Sequence, residues 1–187
     1  FFGPMVTAAA YVDPSLAEEF RRLDVKDSKA ITSDKKAMAI GAKLRELLGK
    51  RFAVIKIGPQ AYNRLYAKMR SVNRILAWAH ARAIENLLTA VPGCPRAISD
   101  QFGSKQQVER ALMKNGRKIE LVQRHKAESD LAVAAASILA REGFLQALGD
   151  MGTRYGVKLP KGASNLVQDA AVALIQKHQP GILLETA

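Results

Sequence analysis

With 187 residues, the chain is sized for one domain, or one domain with a small appendage. Apolar residues make up 48% and aromatics 6%, so the expected core is mainly Ala, Leu, Val and Ile. Lys and Arg outnumber Asp and Glu by 29 to 17, a net charge of +12 that points to a polyanionic partner, most commonly nucleic acid. Such binding weakens steeply with salt, because each phosphate contact releases counterions. The single Cys94 excludes an internal disulfide framework and suits a reducing cytoplasm. No uninterrupted run of about 18 apolar residues occurs, so a membrane partner is not expected. The chain opens on Phe1 directly before an apolar pattern and closes without a polar tail, so a piece of a longer protein is expected.

In chain order, 5–12 reads as a buried strand. Asp13-Pro14-Ser15 breaks it and starts a helix, with Pro14 and Ser15 in the first turn. A polar loop at 25–29 precedes a helix capped by Thr32 or Ser33 and closed by Gly49. A strand is predicted over 52–58, a helix from Pro59, and a long helix over 72–90, where Ile75, Leu76, Ala79, Ala83, Leu87 and Leu88 keep helical spacing. Pro92-Gly93 ends that helix. Residues 96–103 read as a short buried strand that ends on Asp100. A helix over 104–114, an Asn115-Gly116 turn and a strand over 118–123 follow. The charged stretch 124–130 leads into an Ala-rich helix over 131–148, buried on most sides. Gly149, Gly152 and Gly156 mark a loop, and a last helix ends near His178. Interleaved strands and helices make the class α/β with a mixed sheet.

Chemistry is expected at the acids. In open α/β sheets, ligands gather beyond the carboxyl ends of strands, where Asp100 stands; Asp is equally a favoured cap and turn residue. Glu128 and Asp130 follow the next strand. Acids delivered from two strand ends suit a hard divalent cation such as Mg²⁺ or Mn²⁺, and negative charge at a helix start also serves as a cap. His80, His125 and His178 show no metal-ligand spacing. His80 reads as packed, while His125 stands close to the acidic stretch and can contact phosphate. Cys94 reads as packing. Lys26, Lys29, Lys35 and Lys36 bracket a serine-containing loop that either meets phosphate or is a solvated face. The glycines over 149–156 match no phosphate-binding loop.

These residues resemble the catalytic domain of type 2 ribonucleases H, in particular the ribonuclease HIII branch. The stretches that carry the resemblance are FFGPMVTAAAYV (1–12), VKDSKAIT (25–32), GPQAYNRLYAKMRSVNRILAWAHARAIENLL (58–88), SDQF (99–102), HKAESDLAVAAASILAR (125–141) and LPKGAS (159–164), in order along nearly the whole chain. The resemblance implies a ribonuclease H-like mixed sheet flanked by helices over 1–187. It implies endonucleolytic cleavage of the RNA strand of RNA/DNA hybrids with Mg²⁺ or Mn²⁺, two ions being held by four carboxylates. Asp100 matches the third acid. Glu128 matches the fourth, with Asp130 close enough to compete. Asp27, Ser28 and Lys29 match a loop near the substrate strand, and Tyr62, Asn63 and His125 are further substrate-binding candidates. The family's first two acids, in an Asp-Glu-Ser-Gly motif, would lie ahead of Phe1. Its N-terminal substrate-binding domain and its Lys-Leu-His-Phe-like ending are also outside the sequence. An impaired 187-residue chain, derived from an active cytoplasmic monomer, is therefore expected. A non-catalytic basic nucleic-acid-binding module is the alternative.

Overall fold

The computed structural model describes residues 1–101 and 104–187. The elements in chain order are β1 (Met5–Ala10), α1 (Pro14–Arg22), α2 (Asp34–Leu48), β2 (Phe52–Ile57), α3 (Pro59–Met69), α4 (Val72–Ala90), β3 (Arg96–Asp100), α5 (Lys105–Ala111), β4 (Glu120–Arg124), α6 (Leu131–Tyr155), α7 (Asn165–His178) and α8 (Leu183–Thr186). Among the described residues, β1 pairs with β2, and β3 pairs in parallel with β4. The part of the predicted 96–103 stretch at Phe102 and Gly103 lies outside the described residues.

Side-chain caps set the helix starts. Asp13 Oδ1 accepts from the Leu16 N–H at 2.9 Å and opens α1. Ser33, rather than Thr32, opens α2, its Oγ accepting from the Lys36 N–H at 3.3 Å. Ser71 does the same for α4 through the Arg74 N–H. Each such cap satisfies an otherwise orphaned donor and contributes about 1 kcal/mol. Gly49 ends α2 at φ +59°, a conformation that costs an L side chain energy.

Two compact units form. One comprises Thr7–Ile55 and Ser71–Glu142; the other comprises Phe1–Val6, Lys56–Arg70 and Gly143–Ala187. In the first unit, Leu16 and Phe20 of α1, Ala37, Leu44 and Leu48 of α2, and Ala134, Ala135, Ile138 and Leu139 of α6 make one apolar core. A second cluster joins Ala77, Ala81, Ile84 and Leu88 of α4 to Val108, Leu112 and Leu121. In the other unit, Phe2, Leu148, Leu159, Val167, Ala170, Leu174 and Ile182 pack together, with Phe144, Met151 and Tyr155 against them.

Two expectations are corrected. The helix predicted to stop at Leu148 runs to Tyr155, through two of the glycines read as a loop. Leu148, Met151 and Tyr155 recur at helical spacing and enter the apolar cluster, which outweighs roughly 1 kcal/mol per interior glycine. Gly156, at φ +62°, follows as the left-handed residue past the helix end. Within 133–140, only Ala134, Ala135, Ile138 and Leu139 are buried, so this part of α6 buries one face. The Asn115-Gly116 turn expected from the sequence is a 3-10 turn over Gly116–Lys118, and the strand that follows it, β4, runs parallel to β3. The buried Glu85 carboxylate holds that turn, accepting the Asn115 and Gly116 N–H groups at 3.2 and 2.7 Å.

By length and composition alone, α6 meets the requirement for crossing a membrane, with a mean hydropathy of 1.4 over its best window. Its apolar residues serve the cores just described, and it carries Arg141, Glu142, Asp150 and Arg154. Long, mostly apolar core helices pass the same test.

Candidate active site

Strands β3 and β4 run in register from Arg96 opposite Glu120 to Asp100 opposite Arg124, so their carboxyl ends share one edge. The Gln101 N–H donates to the Arg124 carbonyl at 3.1 Å and extends the pairing by one step. Beyond Arg124 the chain turns sharply. Lys126 adopts a left-handed conformation, φ +53°, which costs a non-glycine residue about 1 kcal/mol. The turn is held because the Ala127 N–H then donates to Asp100 Oδ1 at 3.3 Å. Asp100 is thereby tied to the 3-10 turn Ala127–Ser129 that carries Glu128.

Glu128 and Asp130 do different things. Asp130 caps α6: its Oδ1 accepts from the Ala132 N–H at 2.9 Å, and its carbonyl accepts from the Ala134 N–H. Glu128 faces away from that cap and accepts from Lys29 Nζ at 3.4 Å; its side chain is 15% exposed and that of Lys29 79%. Lys29 stands in a short 3-10 turn over Ser28–Ala30, which Asp27 opens by accepting the Lys29 N–H at 2.9 Å. The lysine's pKa is raised, first by the hydrogen bond and charge of Glu128, then by Asp27, with Asp100 contributing. Its ammonium therefore pairs with Glu128 and is favoured further by the nearby charges of Asp27 and Asp100.

His80 lies near Asp100 on α4. Burial holds its imidazole down to about 4 from an ordinary 6.5, against the opposing pull of the Asp100 carboxylate. The folded protein keeps the ring neutral where the unfolded chain takes up a proton. The stabilisation is complete above pH 6.5 and is lost as pH falls toward 4, to a total of about 3 kcal/mol. A His80→Gln variant should show a shallower decline in urea midpoint over that window. Identical slopes for variant and parent would exclude this origin.

The other sequence candidates are dispersed. His125 is exposed on the turn after β4. Tyr62 and Asn63 belong to the other unit, on α3. Tyr62 stacks on Tyr66 at 6.2 Å, and Asn63 Nδ2 donates to the Ala187 carbonyl at 3.3 Å. Lys26 and Lys36 both pair with Asp24, in exposed contacts of little energetic worth. Cys94 is partly buried beside the α4–α5 cluster. Sequence reasoning passed over Ser137 and Arg141 of α6, both of which reach Ser28 in the loop that carries Lys29. Their four-residue spacing on one helix face was the available signal, hidden inside an apolar run.

Among the described residues, no group of three or more His, Cys, Asp or Glu is placed to hold a metal ion. The carboxylates of Asp100 and Glu128 are nevertheless hard oxygen donors, and Glu128 already pairs with one cation, the Lys29 ammonium. By chemical type they fit a hard divalent ion.

Residues 1–183 match the family model for ribonuclease HII. The chain belongs to the ribonuclease HII family. Curated relatives agree with the HIII branch. A protein of Chlamydia trachomatis serovar L2 named Ribonuclease HIII is 42% identical, over 99% of this chain and 61% of the relative. One of Protochlamydia amoebophila with the same name is 38% identical, over 95% and 58%. The crystal structure of Bst-RNase HIII in complex with Mn²⁺ superposes with a TM-score of 0.88 at 31% identity, over 100% of this chain and 61% of that one. The chain thus spans about three fifths of the relatives it matches, and the α/β ribonuclease H-like fold expected from the sequence is the one found.

Proposed function

We propose that this chain supplies catalytic carboxylates to an endonuclease that cleaves the RNA strand of RNA/DNA hybrids by two-metal-ion hydrolysis. The observation that carries the reading is the meeting of Asp100, Glu128 and Lys29 beyond the carboxyl ends of β3 and β4, in a member of this family. Asp100 and Glu128 would hold Mg²⁺ or Mn²⁺. The Mn²⁺ bound by Bst-RNase HIII supports a divalent ion without choosing between the two. A divalent ion bound there would activate water and offset charge on the phosphate. Glu128 is preferred to Asp130 as the metal ligand, because Asp130 is committed to capping α6. The Lys29 ammonium, presented by the Asp27–Ser28 loop, would meet a substrate phosphate once released from Glu128. Tyr62, Asn63 and His125 are proposed substrate contacts, with the RNA 2′-hydroxyl distinguishing the scissile strand. The proposal extends to a cytoplasmic monomer with no membrane partner.

The test is binding and cleavage of an RNA/DNA hybrid labelled on the RNA strand, with Mg²⁺ or Mn²⁺ supplied, beside duplex RNA and duplex DNA controls. Preferential binding of the hybrid is expected, and any internal cleavage, however slow in an impaired chain, is expected to fall on the hybrid's RNA strand. Cleavage of all three duplexes alike, or binding to the hybrid no tighter than to duplex DNA, overturns the reading.

A further inference from the structure

The segment that presents Lys29 has little apolar anchorage of its own. Val25 and Ile31 are buried at its two ends, but Lys29 and Ala30 between them are exposed and Ser28 is only partly covered. What holds the middle is polar and comes from α6. Ser137 Oγ donates to the Ala134 carbonyl at 2.8 Å, which aims its lone pairs outward, and it accepts the Ser28 N–H at 3.2 Å. One turn further along, Arg141 Nη1 donates to the carbonyls of Ser28 and Ile31, the latter at 2.7 Å, and Nη2 donates to Asp34 Oδ1 at 2.7 Å. Both backbone polar groups of Ser28 therefore end on this helix. The guanidinium also links the loop to the first residue of α2.

The same helix starts at the Asp130 cap, immediately after the turn that carries Glu128. One rigid element thus holds Glu128 at its start and the lysine loop along its side. A lysine side chain is long and loses much rotamer freedom when ordered, so the placement of its backbone decides what it reaches.

We infer that Ser137 and Arg141 are positioning residues, which fix the Asp27–Ile31 loop on α6 so that Lys29 faces Asp100 and Glu128. The inference rests on the hybrid-nuclease reading for its catalytic consequence, but its structural half stands apart from it. The planar fork of Arg141 serves three acceptors, two carbonyls of the loop and the Asp34 carboxylate of α2. A lysine keeps the charge and cannot reproduce the fork. Ser137→Ala removes the other tie at nearly constant volume.

Two measurements on the protein test this. The first is amide exchange over residues 27–31 without substrate, for the parent, Arg141→Lys and Ser137→Ala. Exchange is expected to rise about tenfold or more at Ser28 and Ile31, against little change in the α4–α5 cluster. Unchanged loop protection in both variants overturns the inference. The second is a double-mutant cycle with Lys29→Gln, read as hybrid affinity and, where turnover is present, as kcat and KM. If Arg141 acts through Lys29, Arg141→Lys weakens binding or turnover several-fold in the parent and less than about twofold in the Lys29→Gln background. Equal effects in both backgrounds mean that Arg141 acts by a route other than Lys29, and overturn the inference. A parent that cleaves duplex RNA and duplex DNA as readily as the hybrid sinks the nuclease reading but leaves the exchange result decisive for the loop.

Discussion

Asp100→Asn is expected to cut cleavage of an RNA/DNA hybrid by about 100-fold or more, while hybrid affinity stays the same or rises. The reason is local. The Asn Oδ1 can keep the hydrogen bond from the Ala127 N–H, so the turn bearing Glu128 holds its place. What is lost is a negative charge at the strand end. A metal ion loses a hard ligand, and the phosphates lose a source of repulsion. Single-turnover cleavage and fluorescence anisotropy on the same labelled hybrid separate the two effects. A non-catalytic basic module predicts no change in either. Loss of affinity together with loss of thermal stability would instead mark Asp100 as structural.

Arg45→Ala is expected to cost about 3 kcal/mol of folding stability, lowering the melting temperature by roughly 10 °C. Glu142 of α6 is only 1% exposed, and Arg45 Nε and Nη2 both donate to its Oε2 at 2.7 Å. Without that guanidinium, a buried carboxylate loses a close cation, which costs more than an exposed pair is worth. Adding Glu142→Gln should recover part of the loss, since the buried charge is then gone. The contact is also tight. A Cβ at Gly41 of α2 would come within 2.8 Å of the Glu142 Cβ and Cγ, so Gly41→Ala should force the two helices apart locally and cost about 1–3 kcal/mol. Urea denaturation of the single and paired variants checks all three values. An Arg45→Ala protein as stable as the parent would show that other groups carry the Glu142 charge.

Much of the local structure was legible in the chain. Asp13, and the Thr32-Ser33 pair, announce helix starts because a short polar side chain reaches forward to an amide three residues on, a relation contained within the sequence. The helix over 72–90 was equally plain from its apolar spacing. The extent of α6 was not. Its glycines read as breaks, and only burial of Leu148, Met151 and Tyr155 in a cluster shared with Phe2 and Leu174 keeps it helical. A similar limit applied to the acids. Glu128 and Asp130 are two residues apart and chemically interchangeable in a string. Their separate tasks appear once the Lys126 turn sends one toward Lys29 and the other to the α6 amides.

The sequence by itself determined the α/β class, the basic character, the family and the acids worth suspecting, because propensities, caps, charge and motif spacing are properties of neighbouring residues. The tertiary structure alone decided the rest: that β3 and β4 run parallel and end at one edge, that Asp100 meets the Ala127 amide, and that Lys29, 99 residues from Glu128, closes on its carboxylate. Those juxtapositions depend on strand pairing and on the packing of α6 against α2. Such contacts between distant segments are set by what the whole chain can bury together, and no local pattern records them.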